Sequence, residues 1–267
     1  MRPETDGPNY ARNVSILSAI GIAAFIGLLQ VSPIPQDPTF HLFADVRTCL
    51  GIVNFGNTVS NAAFALVGLW GLWTILGPTG QSIFPRSLEK WPYIVFFSGV
   101  ALVSVGSAYY HGAPDNDRLF WDRLPMTMAF MGFFTAFLTD RINRPNIIPW
   151  LLPLLVTLGA ASLIYWSITE AQGTGDLRFY GFVQFFPIAL LPIVLILFPN
   201  GRYTKASYLL WVIAWYGSAM ALEKLDHWLY SVLQGALSGH TLKHLFAAVA
   251  AFIVIQMLRA TNTHHVP

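Results

Sequence analysis

Apolar residues along this chain gather in eight stretches of about 20 residues, the length that carries a helix across a hydrocarbon core. They run near 14–31, 58–76, 91–110, 121–139, 147–166, 179–198, 207–222 and 242–258. Between them, turn-forming residues are confined to short connections such as Gly77-Pro78, Pro85, Gly112-Ala113-Pro114, Asn143-Arg144-Pro145 and Pro199-Asn200-Gly201. No internal repeat, low-complexity tract or long linker breaks the series. The pattern predicts an all-α polytopic membrane bundle with eight transmembrane helices.

Composition agrees and excludes a soluble domain. Charged residues make up 10% of the 267 positions and hydrophobic ones 55%, against roughly 25% charged in soluble domains, and the mean hydropathy is +0.54. Many of the Trp residues (Trp73, Trp91, Trp121, Trp150, Trp166, Trp228) stand near the ends of apolar runs, as an aromatic belt requires. A net charge of +2 gives no reason to expect nucleic acid, and the single Cys49 excludes an intramolecular disulfide.

Arg2 and Arg12 precede the first apolar stretch, an arrangement that resembles a signal-peptide core. Val31-Ser32-Pro33-Ile34-Pro35 puts prolines where a small-x-small cleavage site would lie, so a retained helix is favoured, and cleavage stays open. Lys and Arg set the orientation. Arg2, Arg12, Arg86, Lys90, Arg141, Arg144, Arg202, Lys205 and Arg259 fall on the side of the N-terminal tail, and Arg47, Arg118, Arg123, Arg178, Lys224 and Lys243 on the other. If all eight helices span, both termini are cytoplasmic.

Ionisable groups in or at the mouth of a spanning helix are costly and therefore candidates for function. Three clusters qualify. Ser107 and His111 lie four apart at the end of the third helix and share a face. Asp122 stands at the start of the fourth, and His240 and His244 are again four apart at the start of the last. The expected topology brings all three clusters to the non-cytoplasmic side. Three neutral imidazoles with an open position are a familiar catalytic zinc arrangement, because they leave the metal strongly Lewis-acidic. Asp122 is then the expected proton acceptor and Ser107 a donor to a developing oxyanion.

Plainer accounts exist for each residue. A lone His-x-x-x-His is often interfacial polarity, and Ser107 often a small packing residue. Asp122 could be a helix N-terminal charge favoured by the dipole, or a partner of Arg118 or Arg123. Asn57, Ser60 and Asn61 could line the same cavity or act as interhelical glue. Asp226, near Glu223 and His227, could orient a ligand histidine or pair with Lys224. His41, His264 and His265 are expected to be solvated, and Lys243 to snorkel to the interface.

Ser107-x-x-x-His111, Asp122 eleven residues later and His240-x-x-x-His244 on the last helix together resemble the alkaline ceramidase family. That family belongs to a wider group of membrane hydrolases that includes the adiponectin and progestin receptors. Asn57-Thr58-Val59-Ser60-Asn61 also resembles the start of its first conserved helix, and the resemblance runs from about Asp45 to Leu258. It implies a seven-helix core at 41–267, preceded by a tail and one extra helix at 1–40. It makes His111, His240 and His244 zinc ligands, with Ser107 and Asp122 beside the metal. The implied reaction cleaves the amide of a ceramide-like lipid to a sphingoid or other long-chain amine and a fatty acid.

Eukaryotic members carry several acidic calcium ligands before the first core helix. Here 45–54 offers one carboxylate, Asp45, and an arginine, Arg47, so no calcium site is expected. The chain looks like a bacterial-type member in an inner membrane, with an N-acyl lipid as its partner, no nucleic acid and no readable protein partner. Two other functions compete. A receptor on the same zinc scaffold would favour a large cytoplasmic tail, and nine residues follow Leu258. A transporter would favour inverted repeats, of which there is no sign.

Overall fold

A computed structural model describes residues 9–262 of the chain; His264 and His265 lie outside them. Eleven α-helices are present among the described residues. They are α1 (Tyr10–Gln30), α2 (Phe55–Val59), α3 (Ala62–Leu76), α4 (Pro78–Ile83), α5 (Trp91–Gly112), α6 (Asn116–Arg141), α7 (Ile148–Ala171), α8 (Arg178–Leu197), α9 (Ala206–Lys224), α10 (Asp226–Val232) and α11 (Gly239–Asn262). Local chemistry sets several ends. Gly77-Pro78 stops α3 and starts α4, with proline in the first turn, where its missing N–H costs nothing. Asp115 caps α6 by accepting from the Arg118 backbone N–H at 2.7 Å.

Among the described residues, six helical segments are long and apolar enough to cross a membrane: Tyr10–Gln30, Phe55–Leu76, Ser87–Gly112, Pro145–Ala171, Arg178–Leu197 and Gly239–Thr261. The chain is thus a multi-pass membrane protein, and eight spans are not reached by that measure. The other two expected spans fall on α6 and α9, of 26 and 19 residues, which lie outside the six. For α6 the reason is visible. Asp122, Arg123 and Arg141 are buried, so this helix turns charge inward while apolar neighbours surround it.

The bundle is built on α5 against α6, α3 against α5, α9 against α11 and α7 against α6. Small residues let the α5–α6 backbones approach closely. A Cβ on Gly99 would meet Ala129 N at 2.6 Å, and one on Gly106 would meet Trp121 O at 2.2 Å. Gly106 is next to Ser107, and its contact is next to Asp122, so this approach also sets the distance between those two. Gly106→Ala is expected to force the helices apart, costing about 1–3 kcal/mol, as overpacking does. Thermal unfolding in detergent measures it, and an unchanged Tm would mean that the contact yields freely. The extra helix α1 leans on α8, tied by Asn13 Nδ2 donating to Leu197 O at 2.8 Å.

Candidate metal centre

His111 ends α5, and His240 and His244 occupy the first turns of α11, so two helices deliver three imidazoles to one point. One ring nitrogen from each lies within 4.8 Å of the others. The ring centroids form a nearly regular triangle with sides of 4.9, 5.2 and 4.8 Å. All three residues are buried, the most accessible, His240, being 4% exposed.

The donors fit a metal ion. His111 Nε2 and His240 Nε2 face each other at 3.3 Å. Two nitrogens held at zinc–imidazole distances with a tetrahedral angle between them stand about 3.3 Å apart. On His244, Nδ1 lies 2.8 Å from Ser60 Oγ, which leaves Nε2 for the cation. In that state Nδ1–H donates to the Ser60 oxygen, and the Ser60 hydroxyl donates onward to Asn57 O at 3.1 Å. Uncharged imidazoles suit zinc, copper, iron or nickel rather than calcium or magnesium.

The surroundings fix the rings. Phe43 packs edgewise on His111 at 4.7 Å and on His240 at 4.6 Å. Asn54 Nδ2 donates to His111 O at 2.8 Å. Asp226 acts through the backbone: Oδ1 accepts from His240 N at 2.8 Å and Oδ2 from Ala44 N at 2.9 Å. It therefore pins the first turn of α11 to the loop that carries Phe43, rather than gripping a ring or pairing with Lys224. Asn57 Oδ1 accepts from Ser238 and Thr241, so Asn57 serves as interhelical glue.

Four expectations need correction. Lys243 does not snorkel outward: it pairs with Glu223 at 2.6 Å, and Glu223 in turn stands 3.8 Å from His240 Nδ1. His41 is not simply solvated, since its Nδ1 meets Tyr110 Oη at 2.8 Å and its Nε2 meets Asn116 Oδ1 at 3.0 Å. Asp122 is not at a helix start. α6 begins at Asn116, which puts Asp122 nearly two turns in, where the terminal dipole has faded. Nor is it ion-paired with Arg118, which pairs with Asp115, or with Arg123, which lies against aromatic rings.

Ser107 and Asp122 are buried on the facing surfaces of α5 and α6, where Gly106 lies against the Trp121–Asp122 backbone. Both line a cavity of about 970 Å³ together with His244, Glu223, Lys243 and Arg123. Its remaining wall is largely aromatic and aliphatic, drawn from α1, α3, α5, α6, α8, α9 and α11. Val31, Ile34 and Phe185 line it while about half-exposed, so it opens sideways on the exterior of the bundle. Asp122 is outside the triangle of ligand atoms. In the segment before α2, Asp45 is bound by Arg47 at 2.8 Å, and these hydrogen bonds hold its carboxyl below the usual carboxylate range.

Ser60, Glu223 and Phe43 were not assigned to the histidines from the sequence. Only the polar Asn57–Asn61 run hinted at Ser60. Removing its hydroxyl, as in Ser60→Ala, is expected to weaken metal binding about 10- to 100-fold, as loss of a ligand-orienting partner does. Competition with a graded chelator reads this, and unchanged affinity would make Ser60 a bystander.

A family model described as Ceramidase matches residues 47–266. No curated protein matches the chain.

Proposed function

The chain belongs to the ceramidase family, and from that premise we propose that it is a zinc-dependent amidohydrolase of the membrane. Its reaction is cleavage of the N-acyl amide of a ceramide-like lipid to a long-chain amine and a fatty acid. The observation that carries this is the meeting of three buried imidazoles beside an apolar cavity of about 970 Å³ that opens sideways. A site for a soluble substrate needs no greasy side entrance, whereas a lipid arriving from the bilayer does.

His111, His240 and His244 are the ligands in this assignment. Zinc held there would supply a Lewis acid for the amide carbonyl and bring the ionisation of a water close to neutral pH. The chain's own groups do the rest. The apolar wall takes up the hydrocarbon chains and so fixes the amide at the polar end, converting an encounter into a positioned reaction. Asp122 accepts the proton of the attacking water and returns it to the departing nitrogen as the C–N bond breaks. Ser107 steadies that carboxylate before the lipid enters, then turns its hydroxyl to the carbonyl oxygen as negative charge gathers there. With both termini in the cytoplasm of a bacterial cell, the centre lies toward the outer leaflet of the inner membrane.

The test is metal removal from the purified protein. Chelation should abolish release of fatty acid from N-acyl amides, and added zinc should restore it. Bound zinc with no turnover across a panel of such amides of varied head group and chain length would overturn the proposal.

A further inference from the structure

Arg123 is a buried cation for which the chemistry above has no use. It is 6% exposed and lines the cavity next to Asp122. Its guanidinium carbon sits 5.2 Å from the centre of the Phe40 ring, 4.9 Å from Trp166 and 4.9 Å from Tyr180. Three rings from separate segments hold the planar group in place and repay part of its desolvation. They satisfy none of its N–H donors. Among the described residues Nη1 has no hydrogen-bond partner, and the guanidinium joins no ion pair.

The other arginines buried in the bundle or lying at the cavity are satisfied. Arg141 donates to the carbonyls of Phe198 and Pro199 and to Thr204, and Arg178 is bound to Asp176. A positioned guanidinium with free donors at the polar end of an apolar cavity is a receptor for a planar or tetrahedral set of anionic oxygens. Leaving such donors unpaired in a low-dielectric site is costly, so an anion that pairs with them gains unusually much.

We propose that Arg123 is the docking point for an anionic oxygen group at the polar end of the bound lipid. That chemistry has two sources, the carboxylate of a long-chain fatty acid and an anionic head group such as a phosphate. The inference rests on the reading of the cavity as a lipid site, though not on hydrolysis.

The experiment uses the full chain in detergent, with and without bound metal, so that a carboxylate attracted to a cation at the histidines can be told apart. Binding of palmitate, hexadecyl phosphate and the neutral hexadecanol is compared by intrinsic tryptophan fluorescence. Wild-type protein stripped of metal should prefer both anions over the alcohol by about tenfold or more. Arg123→Gln should bring the three affinities together while hexadecanol binding stays unchanged. Should that variant fail to fold, Arg123→Lys carries the test. It keeps the charge but loses the fork, and should lose several-fold in affinity for the anions alone.

Equal binding of the three probes by wild type, or full anion preference in a folded Arg123 variant, would overturn the proposal. The two sources separate in turnover. Weaker inhibition by palmitate in Arg123→Lys points to the product, and loss of discrimination between phosphate-headed and neutral N-acyl amides points to the head group. Anion preference through Arg123 without any amide cleavage would remove the hydrolase reading and leave the anion site standing.

Discussion

His240→Ala should leave a folded membrane protein that no longer retains zinc and no longer releases fatty acid from lipid amides. The variant reduces the nitrogen donors from three to two and removes the ring that faces His111 Nε2 at 3.3 Å. The ion then keeps too few protein ligands for a catalytic site, which normally has three. Losing the Lewis acid forfeits several kcal/mol of transition-state stabilisation, a fall of at least about a thousandfold in kcat/KM. A stability cost accompanies it. His240 is buried against Phe43, and its deletion leaves a gap there and frees Glu223 from its imidazole neighbour. Metal analysis and turnover therefore have to be read beside a thermal transition. Zinc stoichiometry and turnover equal to wild type would dissolve the centre as drawn. Loss of Tm with unchanged chemistry would make the histidines mere packing.

How far this was legible follows from how local each signal is. The apolar runs gave helix existence throughout, because lipid exposure writes itself into about 20 consecutive residues. Boundaries slipped where polar turns continue a helix beyond its apolar stretch. The fourth run begins at Trp121, but its helix begins at Asn116, where Asp115 supplies the cap. That signal stood in the sequence as Asp115-Asn116-Asp117, and missing it made Asp122 look like a terminal charge. The i, i+4 histidine pair was legible because one helix carries both rings. Its junction with His111 needed only the parity of the spans.

Partnerships across long separations were not legible. Ser60 reaches His244 over 184 positions and His41 reaches Tyr110 over 69, and no local pattern encodes either. Lys243 misled for a related reason. Beside an interface a lysine ordinarily extends to water, but here Glu223 on α9 stands 2.6 Å away inside the cavity and holds it.

Asp122→Asn is the sharper test of chemistry, because it changes one proton site and almost nothing else. The side chains are nearly isosteric, so the close packing of α5 on α6 at Gly106 survives. No arginine or lysine among the described residues is ion-paired with this carboxylate, so none is stranded by the change. Zinc content should stay at the wild-type level, since the residue is outside the ligand triangle. What disappears is the group that takes a proton from water and delivers it to the leaving nitrogen. An amide cannot break its C–N bond readily while expelling an unprotonated nitrogen anion. The expected result is a fall in kcat of about 10²–10⁴, the usual contribution of a positioned general base and acid. KM should change little, because the hydrocarbon wall that binds the lipid is untouched. Were Asp122 instead a structural charge on α6, the asparagine variant would show its defect in Tm and leave kcat near wild type. That outcome would hand the proton transfers to another group. Glu223 would be the first to examine, because it lines the cavity and stands 3.8 Å from His240 Nδ1.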